Sequence, residues 1–502
     1  MPKSLEEATI SELQAAMDAG ELTSRALVQW CLDRIARIDR AGPRLNAIIE
    51  VNPDALDIAR SLDEERQRSG SRGQLHGIPV VLKDNIATTD RMETTAGSLA
   101  LLGTKPRREA YVVKRLRAAG AVILGKTNLS EWANFRSSSS SSGWSARGGQ
   151  VRNPYVLDRS PCGSSSGSAV AVAASLAAAS IGTETDGSVL CPSAVNSVVG
   201  IKTTLGLVSR AGVVPIAHSQ DTVGPMARTV ADAAFLLGAI VGVDKDDPST
   251  WSSAGKSQQD YSRFLKRDGM KGARIGVPRQ VYFGYSDAAD AIAEGAIRKM
   301  RRMGAIIVDP ADIPTAKTMG EGEMQVLLHE FKADLNQYLS ELASSKVKSL
   351  KEVIAFNEAH REKELKYFGQ DLFLKAEETS SLRESKYLRA LKKDLRLSRK
   401  EGIDYVMNKH RLDALVAPTS SPPWVIDHVN GDPHLGGSSQ PTALAGYPAI
   451  TVPAGFVFGL PVGITFMGRA YSEPTLIRLA YAFEQATHHR VSPKFVQTTA
   501  LE

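Results

Sequence analysis

Residues 162–188 read C-G-S-S-S-G-S-A-V-A-V-A-A-S-L-A-A-A-S-I-G-T-E-T-D-G-S. The stretch 168–180 carries Ala, Val and Ser with little bulk, which suits a helix pressed tightly against a sheet. Glycine-flanked serines sit at both ends, Ser164 at the mouth of that helix and Ser188 in T-D-G-S. Upstream, H-G-I-P-V-V-L-K-D-N-I is a β-branched apolar run that delivers Lys83 into a loop.

Two serines and a lysine are sufficient parts for acyl transfer without histidine or metal. Such chemistry needs an activated nucleophile, donors for the developing oxyanion and a proton for the leaving group. Lysine serves as a base only when burial or neighbouring charge keeps it neutral, and the end of an apolar strand provides such a place. In this reading Lys83 draws the proton of Ser188 through Ser164. The turn Thr185, Asp186, Gly187 and Ser188 points its N–H groups at one spot as an oxyanion hole. The ordinary reading of each piece is a helix N-terminus, a phosphate loop or a solvated lysine, and only the combination is specific.

Other motifs are weaker. Gly163-Ser164-Ser165-Ser166-Gly167 matches G-x-S-x-G and would make Ser165 a nucleophile, but Asp158-Arg159-Ser160-Pro161 precedes it where that elbow requires a strand. The chain has no H-E-x-x-H and no cysteine cluster, so no metal site and no cofactor are expected. Cys31, Cys162 and Cys191 are odd in number and form no C-x-x-C pair, which fits free thiols in a reducing cytoplasm. A Cys162–Cys191 bridge is conceivable, since both flank the serine motifs, but it is disfavoured. The net charge of +6 lies mainly in 346–410, where Lys and Arg mix with Glu, and no nucleic-acid-binding signature accompanies it. Taken for the whole surface, that charge suits substrates with a neutral or negative distal end. No run of 18 uncharged apolar residues suggests a membrane span.

Length alone would suggest two or three domains. However, the apolar runs 78–82 and 121–124 with a basic helix over 107–119 between them read as strand, helix, strand. Runs at 414–418 and 449–453 return to the same texture after a Glu-, Lys- and Leu-rich stretch. The expected architecture is therefore one α/β domain over 1–502. It has a single large mixed β-sheet covered by helices on both faces and a helical insertion at about 256–410. Residues 4–40 read as two helices, the first with a Ser4–Glu7 capping box. The tract Ser137 to Ser142 reads as a mobile loop at the rim of a site.

These motifs resemble the amidase signature family. The first serine block is similar to its G-G-S-S-G-G-S-A, and Gly182 to Pro192 to its G-T-D-T-G-G-S-I-R-x-P. Lys83-Asp84-Asn85, Gly125-Lys126-Thr127-Asn128, Gly200-Ile201-Lys202-Thr203, Gly224-Pro225-Met226-Ala227-Arg228 and Gly459-Leu460-Pro461-Val462-Gly463 extend the likeness. It implies Ser188 as nucleophile, Ser164 in a cis peptide as bridging serine, Lys83 as base, and structural places for Lys126 and Lys202. Asp186 stands where the family has glycine, and Leu190 where many members have arginine. With 132–135 and 143–149, these departures resemble bacterial peptide amidases, which remove the C-terminal amide of peptides. Aryl-amide or carbamate hydrolysis, and an A-type subunit of a tRNA-dependent amidotransferase, are the alternatives. Phe135, Trp144, Trp424 and Ile464 are candidates to line a groove for a peptide or small amide. A monomer or homodimer without nucleic-acid or membrane partners is expected.

Overall fold

The computed structural model describes residues 4–500. Its thirteen strands are β1 (Ile48–Val51), β2 (Pro79–Lys83), β3 (Val122–Thr127), β4 (Trp144–Ser145), β5 (Gly149–Gln150), β6 (Ala179–Glu184), β7 (Val199–Lys202), β8 (Thr222–Ala227), β9 (Arg274–Gly276), β10 (Ile306–Val308), β11 (Ala414–Pro418), β12 (Ala449–Val457) and β13 (Leu460–Met467). Eleven form one sheet in the order β1-β3-β2-β6-β8-β7-β12-β13-β11-β9-β10, and β4 with β5 makes a separate two-residue ladder. Strands β3, β2 and β6 run parallel, as do β11, β9 and β10, while the ladders from β6 through β8, β7, β12 and β13 to β11 are antiparallel. The sheet is mixed, as the apolar runs imply.

Both faces are covered, because the alternation of a strand sends neighbouring side chains to opposite sides. Val80 and Leu82 join one core with Val113 of helix Tyr111–Ala118, Leu236 of helix Val230–Ile240 and Phe483 of helix Glu473–Thr487. Val81, between them, joins a second core with Val28 of helix Ser24–Arg34 and Val170 of helix Ser166–Ala173. That last helix is buried along its whole length. Its small side chains let it lie close on the strands that carry the site.

The stretch 256–410 holds helices such as Asp287–Arg302, Glu323–Glu341 and Ser385–Ser398, but also β9 and β10, so the sheet itself runs into it. The first helix begins at Ile10, not at residue 4. Its capping box is Thr9 with Glu12, whose carboxylate accepts from the Thr9 amide at 2.8 Å. No helix of the described residues is long and apolar enough to cross a membrane.

Candidate active site

Strand β2 ends at Lys83 and the parallel strand β6 ends at Glu184, so both release their chains at the same edge of the sheet. Parallel pairing of Leu82 with Ile181 sets Lys83 beside the start of the turn that contains Ser188. Helix Ser166–Ala173 brings Ser164 to the same place from its N-terminal side. The Gly163–Ser164 peptide is cis. Only glycine fits before it, since a Cβ on Gly163 would lie 2.1 Å from Ser130 Oγ.

Lys83 is fully buried. Its Nζ lies 2.7 Å from Ser164 Oγ, 2.8 Å from Thr183 Oγ1 and 3.2 Å from the Thr183 carbonyl oxygen. Asn85 Nδ2 also donates to Thr183 Oγ1, at 3.0 Å. Burial drives the Lys83 amine down to about 7, against the opposing pull of the Asp221 and Glu184 carboxylates. A fraction of the molecules therefore holds a neutral amine at neutral pH, with its lone pair available to Ser164. Lys126 and Lys202 are also buried and depressed to about 8, but they donate to the carbonyls of Ile86 and Tyr447 and reach neither serine.

Ser188 retains slight exposure, and its hydroxyl has no hydrogen-bond partner among the described residues. The turn before it is clamped at both ends. Thr185 Oγ1 donates to Asp221 Oδ1 at 2.6 Å, and Glu184 Oε2 accepts the amides of Val189 at 2.7 Å and Leu190 at 2.8 Å. Gly187 takes φ +77°, which a side chain would strain. The amides of Asp186, Gly187 and Ser188 donate to no acceptor among the described residues. Three N–H groups without an acceptor beside an unengaged hydroxyl are the kind of donors that can stabilise a developing anion. Ser165 is excluded as an elbow nucleophile by its bonds to β6, since its Oγ donates to the Thr183 carbonyl at 3.0 Å and accepts the Thr183 amide at 3.2 Å.

A cleft of about 520 Å³ opens beside Asp186, lined by Phe135, Ser137, Ser138, Leu327, Leu372 and the carboxyls of Glu323 and Asp432. Among the described residues no lysine or arginine lines it, so the overall positive charge does not describe this cleft. Burial and the neighbouring Asp186 hold the Glu323 carboxyl up at about 8. The serine tract forms part of the rim, as its position suggests, but it is hydrogen-bonded in place. Asp371 accepts from Ser137 Oγ at 2.7 Å, the Ser138 amide at 3.0 Å and Ser138 Oγ at 2.8 Å.

Of the four groove candidates, Phe135 lines this cleft. Trp144 is buried edge-on against Tyr367 and Phe368, and Ile464 lies fully inside the main core. Trp424 packs with Cys162, Cys191 and Val195. Those two cysteines form a disulfide, with Cα atoms 6.1 Å apart, and only Cys31 is free. The expectation of three free thiols is thus corrected, and the cysteine count no longer bears on the compartment. The fold closes a 29-residue span that cysteine counting does not register. Thr183, Asn85 and Glu184 lie inside the motifs but receive no role from motif reading, and Asp221 lies outside them; all four hold Lys83 or the turn before Ser188. The first three are legible once β2 and β6 are recognised as parallel neighbours, whereas nothing in the sequence singles out Asp221.

Comparison with known proteins agrees with this geometry. The family model described as Amidase matches residues 26–477. A protein of Arabidopsis thaliana named as a probable amidase is 47% identical, over 98% of this chain and 92% of its own. The A-type subunit of a glutamyl-tRNA(Gln) amidotransferase from Chloroflexus aurantiacus is 36% identical, over 97% of this chain and 98% of its own. The crystal structure of native peptide amidase from Stenotrophomonas maltophilia superposes with a TM-score of 0.94 at 52% identity, covering 98% of this chain and 100% of that one. A likeness of this extent, over a sheet edge that presents a buried lysine to a serine, shows that the chain belongs to the amidase signature family and is an amidase.

Proposed function

We propose that the chain hydrolyses the C-terminal amides of peptides through an acyl-enzyme on Ser188, with Ser164 and Lys83 as its proton relay. The observation that carries this reading is the shell of Lys83. A neutral amine there can give its two N–H groups to the oxygens of Thr183 and keep its lone pair for the Ser164 hydroxyl.

In the first half-reaction Ser188 Oγ attacks the amide carbonyl while its proton passes to Ser164, whose own proton passes to Lys83. The oxyanion forms against the amides of residues 186–188. Collapse breaks the C–N bond, the relay runs backwards to protonate the leaving nitrogen, and ammonia departs. Water then attacks the acyl-serine with the same relay as base. The C–O bond to Ser188 breaks, the proton returns to Ser188, and the peptide acid is released, its remaining proton passing to solvent or to the departed ammonia. Water is the one reactant these steps take besides the substrate.

Peptide amides are favoured over free glutamine by the room in the cleft of about 520 Å³ beside Asp186 and by the 52% identity to a peptide amidase, against 36% to the amidotransferase relative. The test uses the purified chain alone with a chelator present. Its kcat/KM is compared on a peptide amide, an anilide, an aryl carbamate and glutamine, and a fluorophosphonate adduct is mapped by mass spectrometry. The reading requires the adduct on Ser188. An anilide or carbamate preferred by more than about tenfold, roughly 1.4 kcal/mol of transition-state binding, rules out the peptide-amide assignment. Activity that needs partner proteins and tRNA replaces it with the amidotransferase role.

A further inference from the structure

Building on the acyl-enzyme reading above, we propose that Asp221 is a positioning residue for the hydrolysis, acting through Thr185 to hold the amides of residues 186–188 in place. Asp221 hydrogen-bonds to none of Lys83, Ser164 or Ser188, so apart from the pull of its charge on the Lys83 amine its effect on the reaction travels through what it holds. Its Oδ1 accepts from Thr185 Oγ1 at 2.6 Å, and its Oδ2 accepts the amides of Ile216 at 2.8 Å and Ala217 at 3.0 Å. The Asp221 amide in turn donates to the Ala217 carbonyl at 2.8 Å, which closes the loop 216–221 on itself.

That loop is well anchored. The Val214 amide, just before it, donates to the carbonyl of Asn85, two residues after Lys83, at 2.8 Å. On its other side the amides of His218 and Ser219 each donate at 2.9 Å to Asp334 and Glu330 of helix Glu323–Glu341. Gln220 Nε2 reaches Glu323 Oε1 of the same helix at 3.0 Å. Thr185 is therefore where a frame built from the lysine loop and the cleft-wall helix grips the turn.

Glu184 grips the far side of the same turn through Val189 and Leu190. Between the two carboxylates lie Asp186, Gly187 and Ser188, with a glycine at φ +77° as the pliant point. Three amides converge on one oxyanion only if both ends are fixed, and small displacements of such donors are costly in rate. Asp221 supplies one of the two fixed ends.

The test is a set of variants assayed on a peptide amide: Thr185→Val, Thr185→Ser, Asp221→Ala and Asp221→Ala with Thr185→Val. Thr185→Val keeps the shape and loses the hydroxyl, and it should lower kcat by about 10–100-fold with KM within about threefold. Thr185→Ser restores the donor and should return kcat to within about threefold of the parent. On the alkaline plateau of the pH profile, where Lys83 is neutral with or without the Asp221 charge, Asp221→Ala should lose a similar factor, and the double variant should fall no further, because both changes cut one tether. Losses that multiply, a Thr185→Val enzyme equal to the parent, or an effect confined to KM would each overturn the proposal. Should Asp221→Ala fail to give a cooperative thermal transition, the Thr185→Val and Thr185→Ser pair decides alone. A parent enzyme that forms no adduct on Ser188 instead defeats the acyl-enzyme reading and is scored separately from these variants.

Discussion

Lys83 and Thr183 meet twice, once through the threonine side-chain oxygen at 2.8 Å and once through its carbonyl oxygen at 3.2 Å. This double contact leaves Ser164 as the third partner of a nitrogen that has three positions to fill. In the proposed relay the threonine would thereby orient the lone pair of the neutral amine.

Thr183→Val should therefore impair the relay while leaving β6 intact. It removes one acceptor for Lys83 and the only side-chain acceptor of Asn85 Nδ2 among the described residues. Loss of oriented general-base assistance predicts a fall in kcat of about 10²-fold with little change in KM, while Thr183→Ser stays near the parent. Steady-state kinetics on a peptide amide, with circular dichroism to confirm folding, decide it. An unchanged kcat would show that the carbonyl contact alone orients the amine.

The pH dependence follows from the charge state of Lys83. Its burial places the amine near 7, below the ordinary range of lysine. Below that value the amine is protonated and cannot take the proton of Ser164, so kcat/KM falls as pH drops through about 7. Above it the base is free and the profile should be flat until another group titrates. A profile level from pH 5.5 to 8.5 would exclude Lys83 as the titrating base.

The disulfide predicts thiol behaviour that the cysteine count does not. The native protein should show no rapid alkylation, because Cys162 and Cys191 are bridged and burial pushes the Cys31 thiol up to about 12. Denaturation without reductant should expose one thiol per chain, and denaturation with reductant three. Replacing both Cys162 and Cys191 with alanine should cost roughly 3–4 kcal/mol on the chain-entropy model. Intact-mass alkylation and chemical denaturation measure the two effects.

Arg136 is the stability test. It is fully buried, 2.9 Å from Glu131 and 3.7 Å from Glu364, and its guanidinium lies over the Phe368 ring at 4.3 Å. Arg136→Ala would strand both carboxyls without a counter-charge, and removal of one partner of such a pair typically costs about 3–5 kcal/mol. Arg136→Lys should recover only part of this, since an ammonium cannot reproduce the planar fork. Equilibrium denaturation reads out both, and an Arg136→Ala protein within about 1 kcal/mol of the parent would show that the guanidinium is not needed to compensate the buried carboxyls.

Strands β2, β3, β11 and β12 are legible in the sequence because each is a continuous apolar run, the pattern of a strand buried on both faces. Strand β6, A-S-I-G-T-E, does not read as one. Its small and polar residues are buried by a helix that can approach closely only because it too is small. Strands β9 and β10 have three residues each, too short for any period to show, so the stretch around them reads as helical. Lys83, Ser164 and Ser188 stand out by motif. Asp221 does not, since its link to Thr185 spans 36 residues and exists only after β6 and β8 pair. Ile464 and Trp144 illustrate the opposite error, because an apolar side chain near a motif is usually core, and these two are.

The charge of the cleft yields the last prediction. Asp186, Glu323 and Asp432 line it with no lysine or arginine among the described lining residues, and burial with the neighbouring Asp186 holds the Glu323 carboxyl up at about 8. An acyl chain bearing a carboxylate would bring like charge against a lining that carries carboxyls and no cation, whereas a neutral or basic chain would not. Peptide amides with a glutamate beside the terminal residue should therefore show kcat/KM lower by about tenfold or more than their leucine or lysine counterparts, a difference of about 1.4 kcal/mol. Raising the pH through 8 should widen the gap as Glu323 ionises, and Glu323→Gln should remove that pH dependence. Equal rates for the glutamate and lysine peptides would mean that the acyl chain leaves the active site by another route than the cleft beside Asp186.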